Sequence, residues 1–154
     1  MFMKSLFYLM LLSMTLASCG GNSKSEQQNN NEPKEVTSKI SANHIEVLYF
    51  HGSQRCITCR AIESNTIALL DSIYSKEKAD GKIVFRVIDI SDEKNEKIAE
   101  KYEVTWSSLF VNGWKNGKES VNNMTEFGFS YAKNSPDEFK KGLKDKIDQM
   151  LSEL

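Results

Sequence analysis

Three observations predict an α/β domain. Two apolar runs, residues 45–50 and 83–90, are rich in β-branched and aromatic side chains without clean polar alternation, the pattern of central strands covered on both faces. A long stretch of helical apolar spacing lies between them. The chain then closes on a second amphipathic segment whose apolar residues recur at three- and four-residue steps.

Each element follows from local chemistry. Residues 45–50 are the first strand. A helix is expected over 56–78, with Ile62, Thr66, Leu69, Leu70 and Ile73 as its inward stripe and Gly81 as its stop. Residues 83–90 form the second strand, and 92–102 a short charged helix turning Ile98, Ala99 and Tyr102 inward. Leu109, Phe110 and Val111 make a short third strand. Asn112-Gly113 and Asn116-Gly117 then supply hairpin turns before a last strand at 119–122. In the closing helix Ser135 caps, Pro136 suits the first position and Glu138 completes a capping box. Its stripe is Phe139, Leu143, Ile147, Met150, Leu151 and Leu154. Residues 124–134 hold Phe127, Phe129 and Tyr131 but give no decisive period. Trp106, a lone aromatic before a strand, reads as core rather than as a residue packed beside the site, the other reading it allows. The charge runs at 76–78 and 92–97 read as solvated helix faces, and His44 carries no signal.

Residues 44–154 amount to one domain and hold most of the aromatic side chains. Upstream, residues 20–43 are almost all Ser, Asn, Gln, Lys, Glu and Gly, with only Val36 and Ile40 as sizeable apolar groups. Such a segment cannot bury enough surface to offset its ordering entropy, so a flexible tether is expected. Random-coil scaling gives it a reach of about 25 to 30 Å. The chain opens with Lys4, an apolar stretch from Leu6 to Leu12, and Leu16-Ala17-Ser18-Cys19, which resembles the lipobox of bacterial lipoproteins. That resemblance implies a signal peptide over 1–18, removed on export, and a lipid on Cys19 that anchors residues 19–43 to a membrane. An ordinary secretory signal with a spare cysteine is the plainer alternative. Removing residues 1–18 leaves 19 basic against 21 acidic residues, a formal charge of −2. No basic patch argues for nucleic acid.

The chemistry concentrates in Arg55-Cys56-Ile57-Thr58-Cys59-Arg60, where the first strand gives way to the first helix. Two thiols at this spacing on the first turn of a helix can close into a disulfide and reopen, which is dithiol redox chemistry. At the helix N-terminus the Cys56 sulfur faces unpaired backbone N–H groups and the positive end of the dipole, which favour thiolate. Arg55 and Arg60 add positive charge nearby. Cys56 is then the attacking sulfur, and Cys59, a turn on and more buried, resolves the mixed disulfide. The plainer reading is a permanent disulfide or two inert thiols, although a CxxC bridge closes too small a loop to stabilise much by chain entropy. His51, five residues before Cys56, is suited either to titrate against a thiolate or to sit as a hydrogen-bonded loop histidine.

The order strand, helix, strand, helix, hairpin, helix, with CxxC opening the first helix, resembles the thioredoxin superfamily over roughly residues 44–154. Val47-Leu48-Tyr49-Phe50, Cys56-Ile57-Thr58-Cys59 and the Asn-Gly hairpin before a closing helix carry the resemblance. It implies a thioredoxin-like fold with a central mixed β-sheet flanked by helices, and a dithiol mechanism that needs no cofactor. Three departures stand out. Ile57-Thr58 replaces the Gly-Pro of thioredoxin, which leaves the redox direction open. Phe50 occupies the position of the buried acid that thioredoxins use near the second cysteine. Residues 104–109, Val-Thr-Trp-Ser-Ser-Leu, lack the cis-proline that faces the cysteines, with Ser107 or Ser108 in its place. A non-proline cis bond costs about 2.5 to 4 kcal/mol, so a trans loop is expected.

These readings point to a membrane-anchored thiol–disulfide oxidoreductase in a bacterial cell envelope, periplasmic or at the surface. It would act on cysteines of envelope proteins and draw electrons from a separate redox donor. Two alternatives remain at this stage. One is a metal-handling module holding Cu(I) or Zn(II) on Cys56, Cys59 and His51, an incomplete set for zinc. The other is a binding protein whose disulfide is only structural.

Overall fold

The computed structural model describes residues 40–154. The expected signal peptide, Cys19 and most of the tether lie outside the described residues. The elements run β1 (His44–His51), α1 (Ile57–Ile73), α2 (Ser75–Ala79), β2 (Ile83–Asp89), a 3₁₀ turn (Glu93–Asn95), α3 (Glu96–Lys101), β3 (Ser108–Lys115), β4 (Lys118–Ser120), α4 (Thr125–Tyr131) and α5 (Pro136–Glu153). The sheet order is β2-β1-β3-β4. β1 runs parallel to β2 and antiparallel to β3, which pairs antiparallel with β4, so the sheet is mixed. A mixed four-stranded sheet flanked by helices is the expected α/β class and is compatible with a thioredoxin-like fold.

Two apolar clusters explain why β1 does not alternate in sequence. Ile45, Val47 and Tyr49 pack on one face with Ile62, Leu69 and Leu70 of α1 and Phe139, Leu143 and Ile147 of α5. Leu48 and Phe50 pack on the other face with Ile88, Tyr102, Val104 and Phe110. Every side chain from Val47 to Phe50 is fully buried, so both faces of the strand demand apolar residues.

Several expected boundaries differ, each for a local reason. The helix expected over 56–78 breaks at Tyr74, which leaves helical geometry (φ −112°, ψ 24°) and turns into the core, its hydroxyl donating to Asp148 Oδ1. Ile73, read as inward, is half exposed as a result. The helix at 92–102 splits into a 3₁₀ turn, where Asp92 accepts from the Lys94 N–H at 3.0 Å, and the shorter α3. The third strand runs to Lys115, so Asn112-Gly113 is strand and only Asn116-Gly117 turns the chain. Asn112 stays in the strand because its buried side chain is satisfied there, donating to Glu119 and accepting from Asn122 N–H. Gly113 follows it in the strand, with the flexible end of Met150 beside it. β4 is accordingly Lys118–Ser120 rather than 119–122. Ser135 makes no side-chain cap bond, so the capping box does not form, and Pro136 alone marks the start of α5. The unassigned stretch after Asn123 contains α4, whose Thr125 accepts from the Leu109 N–H at 3.0 Å.

Candidate functional site

β1 delivers the chain to the site, and the 52–55 loop is fixed against the turn after β2, where Ser53 N–H donates to Ser91 Oγ at 2.8 Å. Cys56 is the N-cap of α1, extended at φ −69°, ψ 166°. Its sulfur accepts from the Cys59 N–H at 3.0 Å, the role a serine or aspartate oxygen usually fills at this position. The same N–H groups and the helix dipole favour negative charge on that sulfur when the bridge is open. Cys56 and Cys59 form a disulfide, with Cα atoms 5.0 Å apart. Cys56 is exposed and Cys59 is buried. Between them Ile57 projects outward, 67% exposed.

Tyr49 supports this turn from below. Its hydroxyl donates to the Cys59 carbonyl at 2.7 Å, joining the buried face of β1 to the first turn of α1. Burial pushes its phenol above the ordinary value, while Arg55 and Ser107, both beside the ring oxygen, pull the other way. The Arg55 guanidinium lies 5.7 Å from the Tyr49 ring centroid and pairs with Glu63. The positive charge expected of Arg55 is thus shared with a carboxylate partner. Arg60 is exposed.

The opposite wall is the loop into β3. All its peptide bonds are trans, Ser107 and Ser108 are both buried, and Ser107 is the one set against Tyr49. Ser108 instead pairs with Phe50 in the sheet and donates to the Trp106 carbonyl at 3.1 Å. Trp106 corrects the sequence reading: it is 59% exposed rather than core, its ring tilted 34° against Phe129 of α4 with centroids 5.2 Å apart. Phe50 packs at 5.7 Å from both Tyr102 and Phe110, an apolar setting with no carboxylate. His51 is half-buried, its Nδ1 2.9 Å from the Gly52 carbonyl and its ring 6.1 Å from Tyr49. Among the described residues, no three His, Cys, Asp or Glu side chains converge as a metal-ligand set.

The site therefore joins the two cysteines with Arg55 and Ser107 around Tyr49. Sequence reading placed Tyr49 in a strand but gave it no part in the site, and it missed Glu63 and Phe129. For Tyr49 a signal was present: a tyrosine in an otherwise apolar, fully buried run needs a partner for its hydroxyl.

No family model matches this sequence, and no curated protein matches it. A solved structure described as that of a malarial protein aligns with 53% of this chain and 82% of its own, at 23% identity and a TM-score of 0.38.

Proposed function

We propose that the protein is a thiol–disulfide oxidoreductase of the thioredoxin superfamily, working through Cys56 and Cys59. One observation carries this reading: a disulfide closes across the first turn of a helix with its N-terminal sulfur exposed, capping that helix, and its second sulfur buried. In the reduced form the Cys56 thiolate attacks a disulfide of a target protein. A Cys56–target bond forms and the target's other sulfur leaves as a thiolate. Cys59, deprotonated to solvent, then attacks the Cys56 sulfur, closing the intramolecular bridge and releasing the second target thiol. Two electrons pass from the dithiol to the target, and a separate dithiol donor resets the enzyme. Arg55, His51, Ser107 and Ser108 are the residues we assign to tuning or framing this reaction. The lipobox at 16–19 supports a lipid anchor on Cys19 in a bacterial envelope, with targets among the envelope's cysteine-containing proteins.

Trapping tests the reading. Reduced Cys59→Ser protein mixed with oxidised glutathione should accumulate a stable glutathione adduct on Cys56, located by peptide mass. Cys56→Ser should give little adduct on Cys59. Equal adducts on both sulfurs, or none on either, would refute the assigned polarity.

A further inference from the structure

At the end of the sheet where β1 leads into the dithiol loop, the surface holds a concavity of about 640 Å³ whose chemistry the electron-transfer reading does not use. Trp106 and Phe129 form its aromatic wall, with Phe110 and Thr125 deeper and Glu103 and Glu126 on its lining. Its position is tied to the site by the sheet register: its lining residue Ser108 pairs with Phe50 near the end of β1, and Trp106 stands two residues before Ser108. A tryptophan left 59% exposed keeps a large apolar face in water, a cost that a docking partner would relieve.

Charge says what that partner carries. Glu103 and Glu126 make no ion pair among the described residues, and no Lys or Arg lines the concavity. Glu103 also borders a second concavity with Asp92, Glu93, Glu96 and Glu100, again without a basic residue. Ser91, which accepts from the dithiol loop at Ser53, lines that second space, so acid extends toward the cysteines. Arg55 is paired with Glu63, and the exposed Arg60 that follows Cys59 lies outside the lining of both concavities. Exposed aromatic faces flanked by carboxylates suit a cation on an apolar stem: the methylenes lie on the rings and the charge meets the carboxylates and the ring quadrupoles.

We propose that the Trp106–Phe129 groove docks a lysine- or arginine-bearing segment of the disulfide-containing polypeptide that Cys56 attacks. The proposal rests on the oxidoreductase reading and adds a substrate class to it. A basic flank beside the target cysteine is steered in by the acidic border and held on the aromatic wall, which raises the rate of mixed-disulfide formation. An acidic flank is repelled.

The test uses the purified protein, reduced with dithiothreitol and freed of it, against two synthetic peptides with the same central disulfide. One is flanked by lysines and one by glutamates, and rates are read by quenched alkylation and mass. The lysine peptide should react about tenfold faster at low salt, with the gap closing substantially at about 0.5 M salt. Glu103→Gln with Glu126→Gln should bring the two rates within about twofold. Trp106→Ala should slow the lysine peptide more than the glutamate peptide. Asp71→Asn, near the C-terminal end of α1, with Asp80→Asn, the cap after α2, changes net charge equally outside both concavities and should keep the preference. Equal rates in the parent protein, a preference surviving Glu103→Gln/Glu126→Gln, or one abolished by Asp71→Asn/Asp80→Asn would overturn the docking proposal while leaving the dithiol chemistry intact. No reaction with either peptide or with oxidised glutathione would instead defeat the oxidoreductase reading.

Discussion

The Tyr49 phenol donates across 2.7 Å to the Cys59 carbonyl, so a core residue of β1 holds the turn that carries both sulfurs. Replacing it with Phe keeps the ring in its cluster and removes one buried hydrogen bond. Tyr49→Phe should therefore cost about 1 kcal/mol, read as a lower urea midpoint of the oxidised protein. An unchanged midpoint would show that the bond contributes nothing. At this scale the sequence was uneven. The Cys56–Cys59 bridge was legible because two cysteines three residues apart at a strand-to-helix junction lie within reach of each other. Trp106 was misread because its exposure depends on Phe129 and on where α4 crosses the loop into β3, contacts made between residues distant in sequence.

At the level of elements, α3 and the β3–β4 hairpin are tied by one polar cluster. Lys101 Nζ reaches Glu119 Oε2 at 2.6 Å, Asn112 donates to Glu119 Oε1 at 3.1 Å, and the Tyr102 hydroxyl donates to the same oxygen. Burial by itself would raise the Glu119 carboxyl, but the bonds from Lys101 and Tyr102 outweigh it and hold the group below its ordinary value. A carboxyl with a lowered native pKa gives stability that is full above its unfolded value and lost as pH falls through the lowered one. Glu119→Gln should thus cost about 1 kcal/mol at pH about 7, with the gap to the parent protein narrowing toward pH about 3, read by urea unfolding at both. A gap that stays constant with pH would show that the carboxylate's charge is not what matters. The elements themselves were legible where burial imposes a period: β1, α1 and α5 follow apolar runs or stripes, whereas β2, read as a central strand covered on both faces, lies at the sheet edge with Arg86 and Val87 exposed. Boundaries failed where one side chain overrode local signals. Tyr74 turned inward and ended α1, and Asn112-Gly113, a turn dipeptide by composition, was kept in β3 by the Asn112 bonds to Glu119 and Asn122.

Across the whole molecule, the order β2-β1-β3-β4 puts the two most buried strands, β1 and β3, in the middle and ends β1 at the dithiol loop. The loop into β3, the neighbouring strand, supplies the facing wall, so two central strands fix both sides of the site. This arrangement places a disulfide where one sulfur meets solvent and the other the core, and the central claim is that the bridge opens and closes as part of function. The direct measurement is equilibrium of the purified protein against glutathione buffers of graded potential, quenched by alkylation. Peptide mass mapping then reads Cys56 and Cys59 separately from Cys19. The account predicts a reversible two-electron couple between about −270 and −120 mV. A bridge that stays closed across the whole range, or thiols that never pair, would contradict it.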